Sequence, residues 1–476
     1  MYTDIRIDGE SLDLGEAPKL PVNLVNPHLT YEQIPNSVAN IPNIPFSVRN
    51  QRIFEYAEMP QAGNDLYSYL CEVINNGAIV YKGNAYVKES DPQTGYALDA
   101  TDDLGRFFGL FSDLPLTELD LGTVELPPVL TADLMMAGKK AVCFPSILNP
   151  DYYGTNGPAL DPPFTGIVNE YTGTAYAAAG PKVPMLFVSF LLDRIAQLTG
   201  VTLSGSFLTH PVWQTLILTN WRALDGDQVV TVNRHVPAWT IGQFIIELRK
   251  IPNLRYKFDT PNKRLQLDFW EPQMDLTPVK DWTAKATPGH KKIPEFNRRL
   301  QLAFELDGGD SLMKDKPEIM GDYFTPATGN LGGDAIGLVK VPIRLSTFLV
   351  DETTGLPVAK QTGVTKEFNQ LAVTTAPRLL FWHGITENQP LASPELAGIR
   401  LYLTGPGGIA ATSWKRTERL RREMFYLRKS FTLSEIDLAT LDFSQPIHYK
   451  GLNYLVAHVA GDLPIEKEFA CLLVKI

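Results

Sequence analysis

Carboxylates set close together are the residues of this chain whose type and spacing most invite chemistry: Asp102 beside Asp103, and Asp307 shortly before Asp310. Two carboxyl groups about 5 to 10 Å apart suffice for glycoside hydrolysis, one protonating the leaving oxygen while the other attacks or activates water. Both pairs lie in polar, glycine-containing stretches, however, where Asp most often forms turns, and the turn role is the one the local sequence favours. His448 and His458 flank Gly451 and could face one another across a hairpin, but a metal centre needs three or more converging ligands, so a structural role is expected for them. Gly138-Lys139-Lys140-Ala141 lacks the hydroxyl residue and spacing of a phosphate loop, and Gly405-Pro406-Gly407-Gly408 lacks the dinucleotide spacing. The nucleophile-elbow and H-E-x-x-H patterns are absent. No catalytic, cofactor-binding or metal-binding residue is therefore assigned from sequence.

Charge offers a different kind of function. Lys415, Arg416, Arg419, Arg421 and Arg422, continued by Arg428 and Lys429, form the one strong basic cluster, relieved only by Glu418 and Glu423. On a chain of net charge -10, such a patch suits an acidic surface on a partner subunit, or else is a solvated helix face. The acidic balance argues against stable nucleic-acid binding, which needs clustered cations over a broad surface. The 7 tryptophans are candidate sugar-stacking platforms or, more commonly, core residues. Cys71, Cys143 and Cys471 are scattered and odd in number, which excludes a disulfide framework and reads as small buried side chains made in a reducing compartment. The N-terminus lacks a signal-peptide pattern, and the most apolar stretch, Val183 to Leu192, is too short to span a bilayer, so a soluble protein without a transmembrane segment is expected.

These residues must be positioned by more than one core, since 476 residues exceed the size of an ordinary domain. Alternating apolar residues broken by Pro, Gly, Asn and Asp predict a β-rich first domain over residues 1–122, with Ile79 to Val87 as two short strands about Gly83-Asn84. A mixed α/β region is expected over 123–275. It contains a long loop from Tyr152 to Gly180, a helix opened by Pro184 and ended by Gly200, and a second helix capped by Thr240 and Gln243 and stopped by Pro252. Leu254 to Phe258 and Leu265 to Phe269 then alternate as a hairpin. A second β-rich region spans 276–476, with a strand at Arg299 to Leu306, a polar excursion from Gly308 to Gly337, a strand at Met424 to Leu433, a short helix capped by Ser434 with Asp437, a hairpin about Gly451 and a last strand ending at Ile476. The class is α+β and β-dominated, with two barrel-like domains flanking a mixed middle. The two long loops, with Tyr152, Tyr153 and Tyr171 in the first, are the segments expected to meet neighbouring subunits and to order on assembly.

Tyr81-Lys82-Gly83 with Tyr86 recurs as Tyr449-Lys450-Gly451 with Tyr454, which is either shared turn chemistry or the trace of a duplicated β domain. The run Ile44 to Phe54 followed by Asn75 to Gly83, the Thr240 to Trp270 helix and hairpin, and the ending Asp442 to Gly451 through Leu472 to Ile476 resemble tail or baseplate hub proteins of Bacteroidetes phages and prophages. That resemblance implies a homotrimeric hub or tip component of the virion, made in the host cytoplasm, whose two related barrels adapt a sixfold tail tube to a threefold spike. Its partners would be its own copies and the tube, distal tail and spike or tip proteins, and it brings no catalytic residues. The alternatives are a carbohydrate-binding receptor-recognition protein and a virion-associated glycan hydrolase.

Overall fold

The computed structural model describes residues 3–15, 19–61, 68–102, 114–154, 163–259, 263–275, 277–278, 280–327, 337–365 and 376–476. Strand dominates and the helices are few, so the fold is the β-dominated α+β class that the period-two alternation predicts.

Both ends of the chain enter one half-barrel sheet of 13 strands. Eleven of them run in the order Glu10–Ser11, Thr3–Ile7, Tyr69–Asn75, Ala78–Asp91, Gly95–Thr101, Val38–Ile44, Leu20–Val25, Leu452–Leu463, Phe469–Lys475, Phe425–Phe431 and Lys291–Pro294, while Ile447–Tyr449 branches off Leu452–Leu463 and carries Lys280–Asp281. The seam between the two ends is the antiparallel register from Leu20 opposite Leu463 to Val25 opposite His458. Inward residues from both ends share one core, including Ile5, Cys71 and Leu98 from the start and Val456, Phe469 and Leu473 from the finish. Each such side chain contributes roughly 1.5–3 kcal/mol on full burial.

A second core takes residues from Leu116 to Trp414. At its centre six strands run in the order Gln389–Ser393, Leu379–Thr386, Leu216–Leu218, Met185–Phe187, Lys139–Cys143 and Asp133–Met136. The helix Val188–Thr199 buries Val188, Leu191, Leu192 and Ile195 and ends at Gly200 in the left-handed conformation, φ 66°. It begins later than Pro184 suggests because Met185–Phe187 pairs on both sides as a strand. Thr240 and Gln243 make both bonds of the capping box before Ile241–Lys250, and the hairpin Leu254–Asp259 with Arg264–Phe269 has the expected pairing. Residues 299–414 pack in this core and 425–475 in the end sheet, so the last passage between cores is the helix Lys415–Glu423.

One local expectation fails. Gly83-Asn84 makes no turn; Ala78–Asp91 is a continuous strand and the chain reverses at Asn76-Gly77, with φ 47° and 86°. Gly83 is needed mid-strand because a Cβ there would lie 2.1 Å from the carbonyl oxygen of Thr101. Lys450-Gly451, by contrast, is itself a turn, with φ 45° and 82°. The two Tyr-Lys-Gly runs thus occupy different structural positions and give no support to a duplicated domain.

Candidate interaction surface

The helix Lys415–Glu423 has no side-chain cap from its own preceding residue, which is Trp414. A distant carboxylate serves instead: the amides of Arg416 and Thr417 donate to Glu271 at 2.5 and 2.9 Å, and the Thr417 hydroxyl donates to it at 3.0 Å. A carboxylate is favoured there by the unsatisfied amides and by the positive end of the helix dipole. Burial nonetheless raises the Glu271 carboxyl above its ordinary value, against the pull of those bonds. The Trp414 indole donates to the Lys250 carbonyl at 3.0 Å, and the Asn253 amide donates to Ser413 and Thr417 at 2.8 and 3.0 Å. The start of the basic helix is thereby clamped to the C-terminal end of Ile241–Lys250.

This clamp fixes where the basic cluster points. Lys415, Arg416, Arg419 and Arg422 are exposed, whereas Arg421 is half-buried with its guanidinium 5.9 Å from the Tyr31 ring. Glu423 lies 3.5 Å from Arg419, and Glu418 accepts from the Tyr323 hydroxyl at 2.7 Å. Arg428 is exposed on the following strand, but Lys429 turns inward and donates to the Gly289 carbonyl at 2.6 Å.

The tyrosines occupy a different neighbourhood. Tyr152 is a core residue, 1% exposed, whose hydroxyl donates to the Trp221 carbonyl at 2.9 Å and whose pKa burial drives well upward. Tyr153 and Tyr171 are half-buried, the first against Tyr152 and Phe164, the second edge-on to Tyr176. The described part of this loop is already tied down: the buried Asn169 side chain donates to the carbonyls of Pro145 and Val183 and accepts from the Val183 amide at 2.7 Å. Gly308 to Ala327 is pinned likewise by buried Met313 and Met320. Ordering on assembly is therefore not required of these described stretches; residues 155–162 and 328–336 of the two loops lie outside the described residues.

The candidate carboxylates face inward. Asp307 and Asp310 are 2% and 0% exposed, and Arg378, also 0% exposed, reaches both, at 3.5 and 2.8 Å. Gln361 donates to Asp307 at 3.1 Å and accepts from Arg378 at 3.0 Å. Asp307 also closes a turn on the Gly309 amide, and Asp310 caps Leu312, so the turn role holds and a second, unforeseen one is added: charge neutralisation of Arg378. Asp102 accepts from the Ser37 amide at 2.9 Å, while Asp103 lies outside the described residues. His448 bonds Asn453 and the Gly451 amide, and His458 bonds Asn23, so each is engaged separately and not with the other.

Most of the tryptophans are core residues, the commoner role for this side chain. Trp213, Trp221, Trp270, Trp282, Trp382 and Trp414 are all 4% exposed or less, and Trp239 is half-buried. Trp382 borders an open groove of about 620 Å³ shared with Lys139, Lys140, Asp193 and His383. There Lys139 is paired to Asp193 and Lys140 to Asp133, so both cations of the groove are already engaged by carboxylates of the same chain. The three cysteines are free and buried, and burial pushes the thiols of Cys71 and Cys471 up to about 12. No helix among the described residues is long and apolar enough to cross a membrane.

Similar solved structures are phage and prophage tail proteins. A 43 kDa tail protein of prophage MuSo2 from Shewanella oneidensis matches with a TM-score of 0.39 and 8% identity, covering 100% of this chain and 97% of that one. A tail protein from Neisseria meningitidis MC58 gives 0.38 and 10%, covering 99% and 95%, and a prophage tail protein from Listeria monocytogenes EGD-e gives 0.37 and 7%, covering 99% and 94%. No protein-family model and no curated protein matches the sequence.

Arg378 and Glu271 were missed in the sequence. The first had a usable signal, a single charge entering the apolar run Leu379 to Trp382; the second had none, because its partner amides lie far along the chain.

Proposed function

We propose that the chain is a structural, non-enzymatic component of a phage tail or tail-like particle, acting as a hub or tip subunit that binds its own copies and neighbouring tail proteins. The observation that carries this reading is the basic helix Lys415–Glu423, held at its start by Glu271, Asn253 and Trp414 and exposing four cations at the passage between the two cores. A surface organised in this way is prepaid in conformational entropy, which favours a permanent docking role over a flexible one. The sequence segments resembling tail and baseplate hub proteins support the same assignment and suggest a threefold assembly.

Burial of Asp307 and Asp310 weighs against the glycan hydrolase, and burial of six tryptophans weighs against the receptor-binding alternative. The test combines light scattering of the purified chain with antibody-gold imaging of the particle that carries it. Self-association and label at one end of the tail are expected. A persistent monomer that turns over a glycan, with no label on any particle, overturns the proposal.

A further inference from the structure

The edge of the half-barrel sheet next to the basic helix carries an unfavourable feature. In the pairing of Lys291–Pro294 with Phe425–Phe431, Lys291 stands directly opposite Arg428, and both are exposed. Like charges facing across two strands destabilise the pair, and among the described residues no further strand closes this edge. Phe296, just beyond, is 79% exposed. The strand itself bears Lys292 and Pro294, features that guard an edge against pairing with another strand. Together with Lys415, Arg416, Arg419 and Arg422, this makes a basic face with an aromatic projection, suited to side-chain docking rather than sheet extension.

The opposite chemistry lies elsewhere on the same chain. From Phe107 to Gly138 the sequence has no Lys or Arg. Glu118, Asp120 and Glu125 are exposed there, among exposed Leu114, Val129 and Met135. Four cations close by are engaged: Lys139 and Lys140, opposite Met136 and Met135 on the paired strand, bind Asp193 and Asp133, Arg194 donates to the Leu121 carbonyl at 2.8 Å, and Arg234 pairs with Asp227 at 3.7 Å. The helix Ile241–Lys250 separates the two faces. Pro115 bridges to Thr240 at its start, and Trp414 bonds Lys250 at its end, a rise of roughly 15 Å for ten residues. One copy therefore holds the two faces at opposite ends of a rigid element, where they cannot cover each other.

We infer that the basic face of one copy docks on the acidic, apolar 114–136 face of a second copy, head to tail. This deepens the proposed function and rests on its premise of self-association. Such an interface joins two different patches, so it closes into a ring when the rotation per copy allows it and otherwise grows as a filament.

Charge exchange tests it, using the full chain, with light scattering at low and high salt and circular dichroism to confirm folding. The pair Arg419→Glu with Arg422→Glu, and separately Glu118→Lys with Glu125→Lys, is expected to weaken self-association at least tenfold, as is high salt. The chain carrying all four changes is expected to regain it. If the wild-type chain associates but either pair leaves association unchanged, or the fourfold exchange gives no recovery, the surface assignment is overturned while the tail role stands. A wild-type chain that stays monomeric at every concentration also overturns the assignment, and imaging of the particle then decides the tail role separately.

Discussion

Arg378 shows how much a single residue can decide. Its guanidinium sits 4.7 Å over the Phe348 ring and against two buried carboxylates, and its Nε and Nη1 have no hydrogen-bond partner among the described residues. The contact with Asp310 is close, but it is not aligned as a hydrogen bond, so the cluster relies on charge neutralisation more than on bonding geometry. Arg378→Met should accordingly cost about 3–5 kcal/mol, since it strands Asp307 and Asp310 without a counter-charge. Adding Asp307→Asn and Asp310→Asn to that variant should recover most of the loss, because an apolar or neutral replacement of the whole buried cluster is close to neutral. Urea denaturation of the three chains checks both parts, and equal stability of wild type and Arg378→Met would refute the first. The carboxylates were visible in the sequence as a pair; their burial was not, because it depends on an arginine 68 residues beyond Asp310.

At the level of elements, local chemistry was legible and distant chemistry was not. Thr240 with Gln243 and Ser434 with Asp437 both form complete capping boxes, since every partner lies within four residues. Gly200 ends its helix for the same local reason. The Gly83-Asn84 pair misled because the glycine answers a steric demand from Thr101 on the neighbouring strand rather than a turn. The remote cap on the basic helix follows the same division. Glu271→Ala should lower stability by about 1 kcal/mol through loss of the cap, with Glu271→Gln intermediate. Faster amide hydrogen exchange confined to Arg416, Thr417 and their neighbours would locate the effect; unchanged exchange there would remove Glu271 from the role.

For the whole molecule, the question is what couples the two cores. A close polar link runs from Lys257, on the middle hairpin, to Asp442, which precedes the last hairpin, at 2.6 Å. Arg249 adds a bond to the Pro27 carbonyl at 3.2 Å, and His28 packs on Trp270 with ring centroids 5.2 Å apart. Burial alone would raise the Asp442 carboxyl, but bonds from Lys257 and Ser444 outweigh it and hold the group at about 2. An unfolded Asp titrates near ~3.9, so the folded value is depressed. The stabilisation is thus complete above about pH 4 and is lost as the pH falls through about 2. After allowance for solvent screening of a partly exposed pair it is on the order of 1 kcal/mol. Thermal melts of Asp442→Asn against wild type should differ at pH 6 and converge as the pH approaches 2, and Lys257→Met should reproduce the same convergence. A difference that persists undiminished at pH 2 would mean that Asp442 acts by packing, and that the polar coupling of the cores rests on Arg249 at Pro27 and on the clamped basic helix.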